Sequence, residues 1–284
     1  MNKAQKYMFT ATASFAILTA VVKYLSHIPA HELILFRSVI SLVLSYEYLK
    51  RKKIPVFGND KPLLIVRGVV GTGALLLFFL SIQKIPLASA ATIQYLSPIF
   101  TAIIGVFYLK ERLKPIQWLF FIIAFSGVYF IRGFEKAPDG QGLYILLAVV
   151  SAFLSGIAYN IVRKLKDSDE PVVIVFYFPF IAFPIMLIWS LFEWVTPQGT
   201  DWLWILLIGL LTQAGQVYMS KALQLEKASS MTNITFMGAI IALTFSIFIF
   251  KETYDFVNIA GIALIIIGVT GNIFSSNKEK DAAS

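Results

Sequence analysis

Cysteine is absent from the 284-residue chain, and histidine occurs only as His27 and His31, in one short link. A disulfide framework, a thiolate metal site and a thiol nucleophile are therefore excluded, and the usual zinc or haem ligand is nearly missing. No metal and no other cofactor is expected. Charge is scarce as well: 14% of residues are charged and 58% hydrophobic, with a mean hydropathy of +0.77, whereas a soluble domain is about a quarter charged. All 16 carboxylates fall in links, tails or the terminal turns of apolar runs, so no acidic residue stands at mid-membrane depth to relay protons. H-E-x-x-H, a P-loop and facing carboxylate pairs are also missing. ATP-driven transport within this chain is excluded on that ground, and an intramembrane enzyme is disfavoured.

What is present is apolar length. Ten runs of about 17 to 22 residues, long enough for a helix to cross the hydrocarbon, lie near 7–25, 33–49, 63–82, 89–109, 116–132, 142–162, 172–193, 202–221, 229–250 and 256–274. The links are short and hold the helix breakers, such as Pro29, Pro55, Pro86, Pro115, Pro171 and Gly199. The first run is too long for a signal-peptide core and lacks a clear cleavage site, so it reads as the first span. The expected fold is an all-α membrane protein of ten transmembrane helices.

The chain repeats itself at a shift of about 140 residues, half its length, which is the mark of a transporter built from two related halves. Ala88-Ser89 falls on Ala228-Ser229 and Thr92 on Thr232. After one extra residue, Lys110-Glu111 falls on Lys251-Glu252 and Gly127-Val128 on Gly268-Val269. Two five-helix repeats are expected, 1–134 and 140–275, followed by a disordered cytoplasmic tail over 276–284. Five spans per half is an odd number, so the second copy enters the membrane inverted.

Lys and Arg set the orientation. With the N-terminus inside, the inner links hold Lys3, Lys6, Lys50, Arg51, Lys52, Lys53, Lys61, Lys110, Arg112, Lys114, Arg163, Lys164, Lys166, Lys227, Lys278 and Lys280. The outer links hold only Lys23, Lys84, Arg132, Lys136 and Lys251. Both termini are expected in the cytoplasm, in a bacterial inner membrane. The formal net charge of +8 is then topogenic and implies no nucleic-acid partner.

At these residues the chain resembles the EamA-like branch of the drug/metabolite transporter superfamily. Glu111 and Glu252 close the fourth helix of each copy, and Gly127 and Gly268 lie in the fifth. Phe36-Arg37, Arg67-Gly68 and Lys221-Ala222 look like a subgroup that includes S-adenosylmethionine carriers. The second copy departs at Gly238, where the first has Pro98, and at Phe236-Met237, where the first has Leu96-Ser97. The resemblance implies a central cavity lined by spans 1, 3, 4, 6, 8 and 9. It also implies a homodimer contact through spans 5 and 10.

Polar groups deep in apolar runs need protein or water to satisfy them. Run 8 carries Gln213, Gln216 and Ser220 at i, i+3 and i+7, with Tyr218 and Lys221 beside them. Run 4 offers Thr92, Gln94, Tyr95 and Ser97; run 6, Ser151, Ser155, Tyr159 and Asn160; run 9, Ser230, Asn233 and Thr235; run 1, Thr12, Thr19 and Lys23. Packing or bonding to the preceding turn is the ordinary role of the Ser and Thr members. An amide has four hydrogen-bonding sites to fill, so Gln94, Asn160, Gln213 and Gln216 are assigned to a cavity. Tyr95, Tyr218, Lys221 and Asn233 complete the expected substrate-binding set. Run 8 is expected to form its main polar wall, with Lys221 favouring a solute that bears a carboxylate or other anionic group.

Six residues are assigned to gating or structure: Arg37, Arg67, Pro98, Glu111, Gly238 and Glu252. Arg67 snorkels to the cytoplasmic surface or gates. Arg37 snorkels, pairs with Glu32 or Glu252, or meets the solute. A carboxylate at a helix C-terminus is opposed by the dipole, so Glu111 and Glu252 each need a cation or the backbone N–H groups of the following link. Pro98 and Gly238 either bend their helices or permit close approach. The function expected is secondary transport of a small polar organic metabolite, an amino acid or nucleoside-like amino acid, by alternating access. The alternatives are a broad drug or metabolite exporter and a non-transporting membrane scaffold.

Overall fold

A computed structural model of the chain describes residues 2–108, 115–132, 141–225 and 232–277. Glu111, and the expected tail beyond 277, lie outside the described residues, as does the side chain of Asn233. The described residues form eleven α-helices and one short 3-10 turn, with no strand. Helix α1 (Lys3–Tyr24) opens with a capping box, in which Asn2 Oδ1 accepts from Gln5 N and Gln5 Oε1 accepts from Asn2 N. Helix α2 (Ala30–Lys52) ends where Lys53 turns left-handed at φ 56°. Helix α3 (Lys61–Lys84) is capped by Asp60, which accepts from Leu63 N.

The fourth apolar run is two helices, α4 (Leu87–Gln94) and α5 (Ser97–Tyr108). Pro98 has no N–H to return to the Gln94 carbonyl. Tyr95 and Leu96 instead make a tight turn, each donating to the carbonyl three residues back. Then follow α6 (Pro115–Arg132), α7 (Gln141–Lys164), α8 (Pro171–Ser190), α9 (Asp201–Leu225), α10 (Thr232–Phe248) and α11 (Phe256–Asn277).

Among the described residues, six stretches are long and apolar enough to cross a membrane: Lys3–Tyr24, Lys61–Lys84, Leu87–Phe107, Gln141–Asp167, Pro171–Ser190 and Asp201–Leu225. Shorter apolar stretches occupy α6, α10 and α11. In α2, Glu32, Arg37, Glu47 and the Lys50–Lys52 run interrupt the apolar sequence. The outward faces are apolar: Ile122, Leu203 and Ile240 are each about two-thirds exposed, at 67%, 67% and 66%. Such a surface is an aggregation hazard in water and an ordinary lipid contact in a bilayer. The protein is an integral, multi-pass membrane protein.

The helices pair mainly across the two halves. Helix α1 packs on α9 and α10, and α7 packs correspondingly on α3 and on α4 and α5. Helix α3 packs on α8 as α9 packs on α2. Three pairs join equivalent helices: α2 with α8, α6 with α11, and α4 with α10. Glycines set the close approaches. A Cβ at Gly68 would strike Ile181 of α8, and one at Gly209 would strike Ile40 of α2. Gly68 to Gly209 and Ile40 to Ile181 are the same offset along the chain, so one contact is built twice.

Links brace the same crossings. Glu32 at the start of α2 accepts from Val195 N in the link before α9, at 2.6 Å. Asp169 before α8 accepts from Asn59 N and Asp60 N in the link before α3, at 2.6 and 3.2 Å.

The tightest seam is between α6 and α11. A Cβ at Gly268 would lie 2.5 Å from Ala124 N and 2.6 Å from Phe120 O, both backbone atoms that cannot yield as a side chain does. Gly268→Ala is expected to force the helices apart and destabilise the protein by about 1–3 kcal/mol. Ile122→Ala, on the lipid face, should change little. Thermal unfolding in detergent, followed by tryptophan fluorescence, distinguishes the two; equal midpoints for both variants would contradict the seam.

Candidate functional site

The helices line a partly open central cavity of about 220 Å³. Its wall is drawn from α1, α2, α3, α4, α5, α7, α8, α9 and α10. Helices α6 and α11 take no part and pack on each other outside it. The helix set implied by the resemblance is therefore extended by Arg37 of α2 and Phe178 of α8. Most of the wall is apolar, including Phe15, Leu75, Phe78, Phe79 and Met219. Polar groups are few and placed, as expected for a small-molecule site.

One polar cluster joins α4 to α7. Gln94 Nε2 donates to Ser155 Oγ at 2.8 Å, and Ser151 Oγ donates to Gln94 Oε1 at 3.2 Å and to the Ala74 carbonyl at 2.6 Å. The turn after α4 carries Tyr95 into the same wall. Gly238 of α10 makes room for it: a Cβ there would lie 2.5 Å from the Tyr95 hydroxyl oxygen and 2.9 Å from Thr12 Cγ2. Pro98 and Gly238, at matching positions of the repeat, thus act differently. The first breaks its helix, and the second leaves α10 continuous and clears space for the ring.

A second cluster lies at Arg37, Arg67, Phe178 and Gln216, all on the wall. The Arg37 and Arg67 guanidinium carbons stand 4.9 and 5.6 Å from the Phe178 ring centre. Arg67 Nη2 donates to Gln216 Oε1 at 3.5 Å, a long contact. Gly71, one turn after Arg67, leaves the space that the Arg67 Nη1 and the edge of Phe178 occupy. Snorkelling does not describe these arginines, which are only 1% and 3% exposed. The helices begin earlier than the apolar runs suggest, so each arginine lies about two turns inside its helix. Arg37 also does not pair with Glu32 or Glu252, which bond Val195 N and Lys23 respectively.

Several expected site residues lie elsewhere. Gln213 donates to Ser45 Oγ of α2 at 2.8 Å, away from the cavity wall. Asn160 donates to the Thr101 and Gly156 carbonyls, both at 3.0 Å, and ties α7 to α5. Lys221 Nζ rests over the rings of Tyr7 and Tyr218, 5.7 and 5.5 Å from their centres. Neither Lys221 nor Tyr218 reaches the cavity wall. Helix α9 therefore does not form the main polar wall; its contribution is Gln216, Met219 and Leu223. Asn233 falls in the first turn of α10, with its side chain outside the described residues. Ser38, Thr72 and Thr101 bond the carbonyl one turn back. Phe178 was not distinguishable by sequence, because nothing separates it from the other Phe residues of its apolar run.

Glu252 closes one end of the bundle. Its carboxylate accepts from Leu87 N at 2.8 Å, at the start of α4, where Pro86 offers no cap, and takes contacts from the Ser246 and Tyr254 hydroxyls. Lys23 Nζ lies 3.1 Å from its other oxygen and also donates to the Ile85 carbonyl at 2.8 Å. Glu252 does not close α10, which ends at Phe248; it lies in the link beyond, and its partners are a lysine from α1 and the N-terminus of another helix. Burial pushes the Tyr254 phenol up to about 12, which keeps it a donor here.

The EamA-like transporter family profile matches residues 2–133 and again 142–274. The chain is similar to the pseudopaline exporter of Pseudomonas aeruginosa, 29% identical over 262 residues that cover 90% of this chain and 91% of the relative. It is also similar to solute carrier family 35 member G1 of Mus musculus, 27% identical over 281 residues, 93% of this chain and 76% of the relative. The S-adenosylmethionine uptake transporter of Rickettsia prowazekii is 23% identical over 194 residues, 68% and 65% of the two chains. A crystal structure at 15% identity superposes with a TM-score of 0.71 over 97% of this chain and 98% of its own, a likeness of fold.

Replacing Glu252 by Gln leaves Lys23 partly buried without its counter-charge and weakens the cap on α4. The expected loss is about 1.5–3 kcal/mol of stability, as for a hydrogen bond to a charged group. Lys23→Met should restore part of it when added to Glu252→Gln, and a double-mutant cycle on detergent unfolding measures the coupling. Strict additivity of the two changes would remove the ion pair from the account.

Proposed function

The chain belongs to the EamA-like transporter family, and from that premise we propose that it is a secondary transporter moving a small polar organic metabolite by alternating access. It is a transporter and not an enzyme. The observation that carries the finer reading is the central cavity itself: it is lined by both halves and excludes α6 and α11. A solute held there touches the α1–α9–α10 group of contacts and its counterpart α7–α3–α4–α5 at once. Rocking one group against the other would open the cavity to either side in turn.

The proposed site residues are Gln94, Tyr95, Arg37, Arg67 and Gln216, with Phe178 as an aromatic floor. Gln213 and Asn160, whose amide nitrogens donate to α2 and α5 outside the wall, and Tyr218 and Lys221, which meet each other off the wall, are proposed as supporting residues. The two halves are proposed to be inverted, with both termini in the cytoplasm of a bacterial inner membrane. The outward faces of α6 and α11 are then left for lipid or for a second copy. Relatives named as an exporter and as an uptake transporter are both compatible with this cavity, and net flux would follow the gradients.

A panel of labelled amino acids, nucleosides and S-adenosylmethionine, offered to proteoliposomes, tests the transport reading; accumulation above protein-free vesicles is expected for at least one member. Topology is tested on the natural cysteine-free background. Single cysteines at the exposed positions Asn59 and Gln198 should react from opposite sides of sealed vesicles. Reaction of both from one side would end the ten-span, inverted arrangement.

A further inference from the structure

We propose that Arg37 and Arg67 form an oxyanion-binding pair, and that the solute of this cavity is an organic anion whose carboxylate or comparable oxyanion seats between them. The proposal rests on the transport reading for the word solute, and on the cavity alone for the binding. Both guanidinium groups lie on the cavity wall and are nearly removed from solvent. Nε and Nη2 of Arg37 and Nε and Nη1 of Arg67 are buried without a hydrogen-bond partner. A buried charge left in that state is costly unless something pairs with it.

The described residues offer no such partner. Among the described residues, the wall holds no carboxylate, and Arg37 and Arg67 are its only charged side chains. The ion pairs seen between described residues include Lys23–Glu252, His27–Asp201 and Arg51–Glu47, and none of these three reaches the cavity. Two like charges on separate helices also converge on one ring, where they repel each other. Phe178 attracts both through its face, but a ring face does not satisfy the in-plane N–H donors. A planar oxyanion does, and the guanidinium fork is shaped to bind it bidentately.

The site is also shaped by small and placed residues. Gly71 vacates the volume that Arg67 needs, and Gln216 holds that guanidinium only through a 3.5 Å contact that a ligand can displace. The remaining wall, with Phe15, Leu75, Phe78 and Phe79, suits a hydrocarbon or ring body attached to the anionic group. The repeat adds a further point. Gly68 to Gly209 and Ile40 to Ile181 define its offset, and the same offset carries Arg37 onto Phe178 and Arg67 onto Ile208. One half supplies cations where the other supplies apolar partners. Packing symmetry alone therefore does not call for these arginines.

The test uses the purified full-length chain in detergent. Tryptophan fluorescence follows its thermal unfolding with phenylacetate, phenylalanine, glutamate and succinate, each against its carboxamide, and with phenyl phosphate, inorganic phosphate and chloride. At least one organic anion should raise the unfolding midpoint where its neutral amide does not. Phenyl phosphate beside the carboxylates tells which oxyanion is preferred. Arg37→Gln and Arg67→Gln should each weaken that ligand about ten- to a hundredfold, and Arg67→Lys, which keeps charge but loses the fork, less. The empty Gln variants should unfold no earlier than the parent, because an unpaired buried charge has been removed. Gln variants that unfold earlier while ligand response is unchanged would make the arginines structural and overturn the proposal. So would stabilisation by chloride or inorganic phosphate only, or no response to any organic anion. Arginine-dependent stabilisation without uptake into proteoliposomes would defeat the transport reading and leave the anion site standing. Uptake of a neutral solute indifferent to both substitutions would do the reverse.

Discussion

Close helix contact across the two halves is the constraint on which the rest of this structure depends. In lipid, apolar side chains gain little by leaving the hydrocarbon, so helices associate through tight packing and hydrogen bonds. Small residues make that packing possible: Gly127 and Gly268 between α6 and α11, Gly68 and Gly209 at the α3–α8 and α9–α2 crossings. Because the strongest pairings join opposite halves, neither half encloses a cavity alone. The central space is a consequence of interlocking.

Interlocking also decides which polar residues are free to serve a solute. Asn160, Gln213 and Asp169 each make hydrogen bonds that join helices or links. Gln94 has both roles, tying α4 to Ser151 and Ser155 while facing the cavity. Amides that look equivalent in sequence are thus divided between brace and wall by where their helix turns. The turn at Tyr95 and Leu96 is the clearest case, since it redirects a phenol that a straight helix would place elsewhere.

The repeat is symmetric in packing and asymmetric in chemistry. Equivalent glycines seat equivalent isoleucines, yet Arg37 matches Phe178, and Pro98 matches Gly238. Packing positions tolerate little change, because backbone approaches within a few ångströms punish any added atom. Wall positions face space and can diverge between the copies. A pseudo-symmetric frame around an asymmetric cavity follows from that difference in tolerance.

Composition, apolar run length and the internal repeat were enough to specify an all-helical, multi-pass membrane protein of a transporter family. Those properties follow from local hydrophobicity and from the need to satisfy every backbone group within the bilayer. Gln94, Tyr95 and Gln216 were legible as polar groups that need partners inside apolar runs, but the same signal marked Gln213 and Asn160, which brace helices away from the wall. Tertiary structure alone decided that Lys221 rests on Tyr7 and Tyr218 and that Glu252 takes Lys23 and Leu87 N. It alone brought Arg37 and Arg67 to one phenyl ring. Each of those outcomes depends on the rotation of one helix against another far away in sequence. Hydropathy has no direction around a helix axis, and packing supplies it.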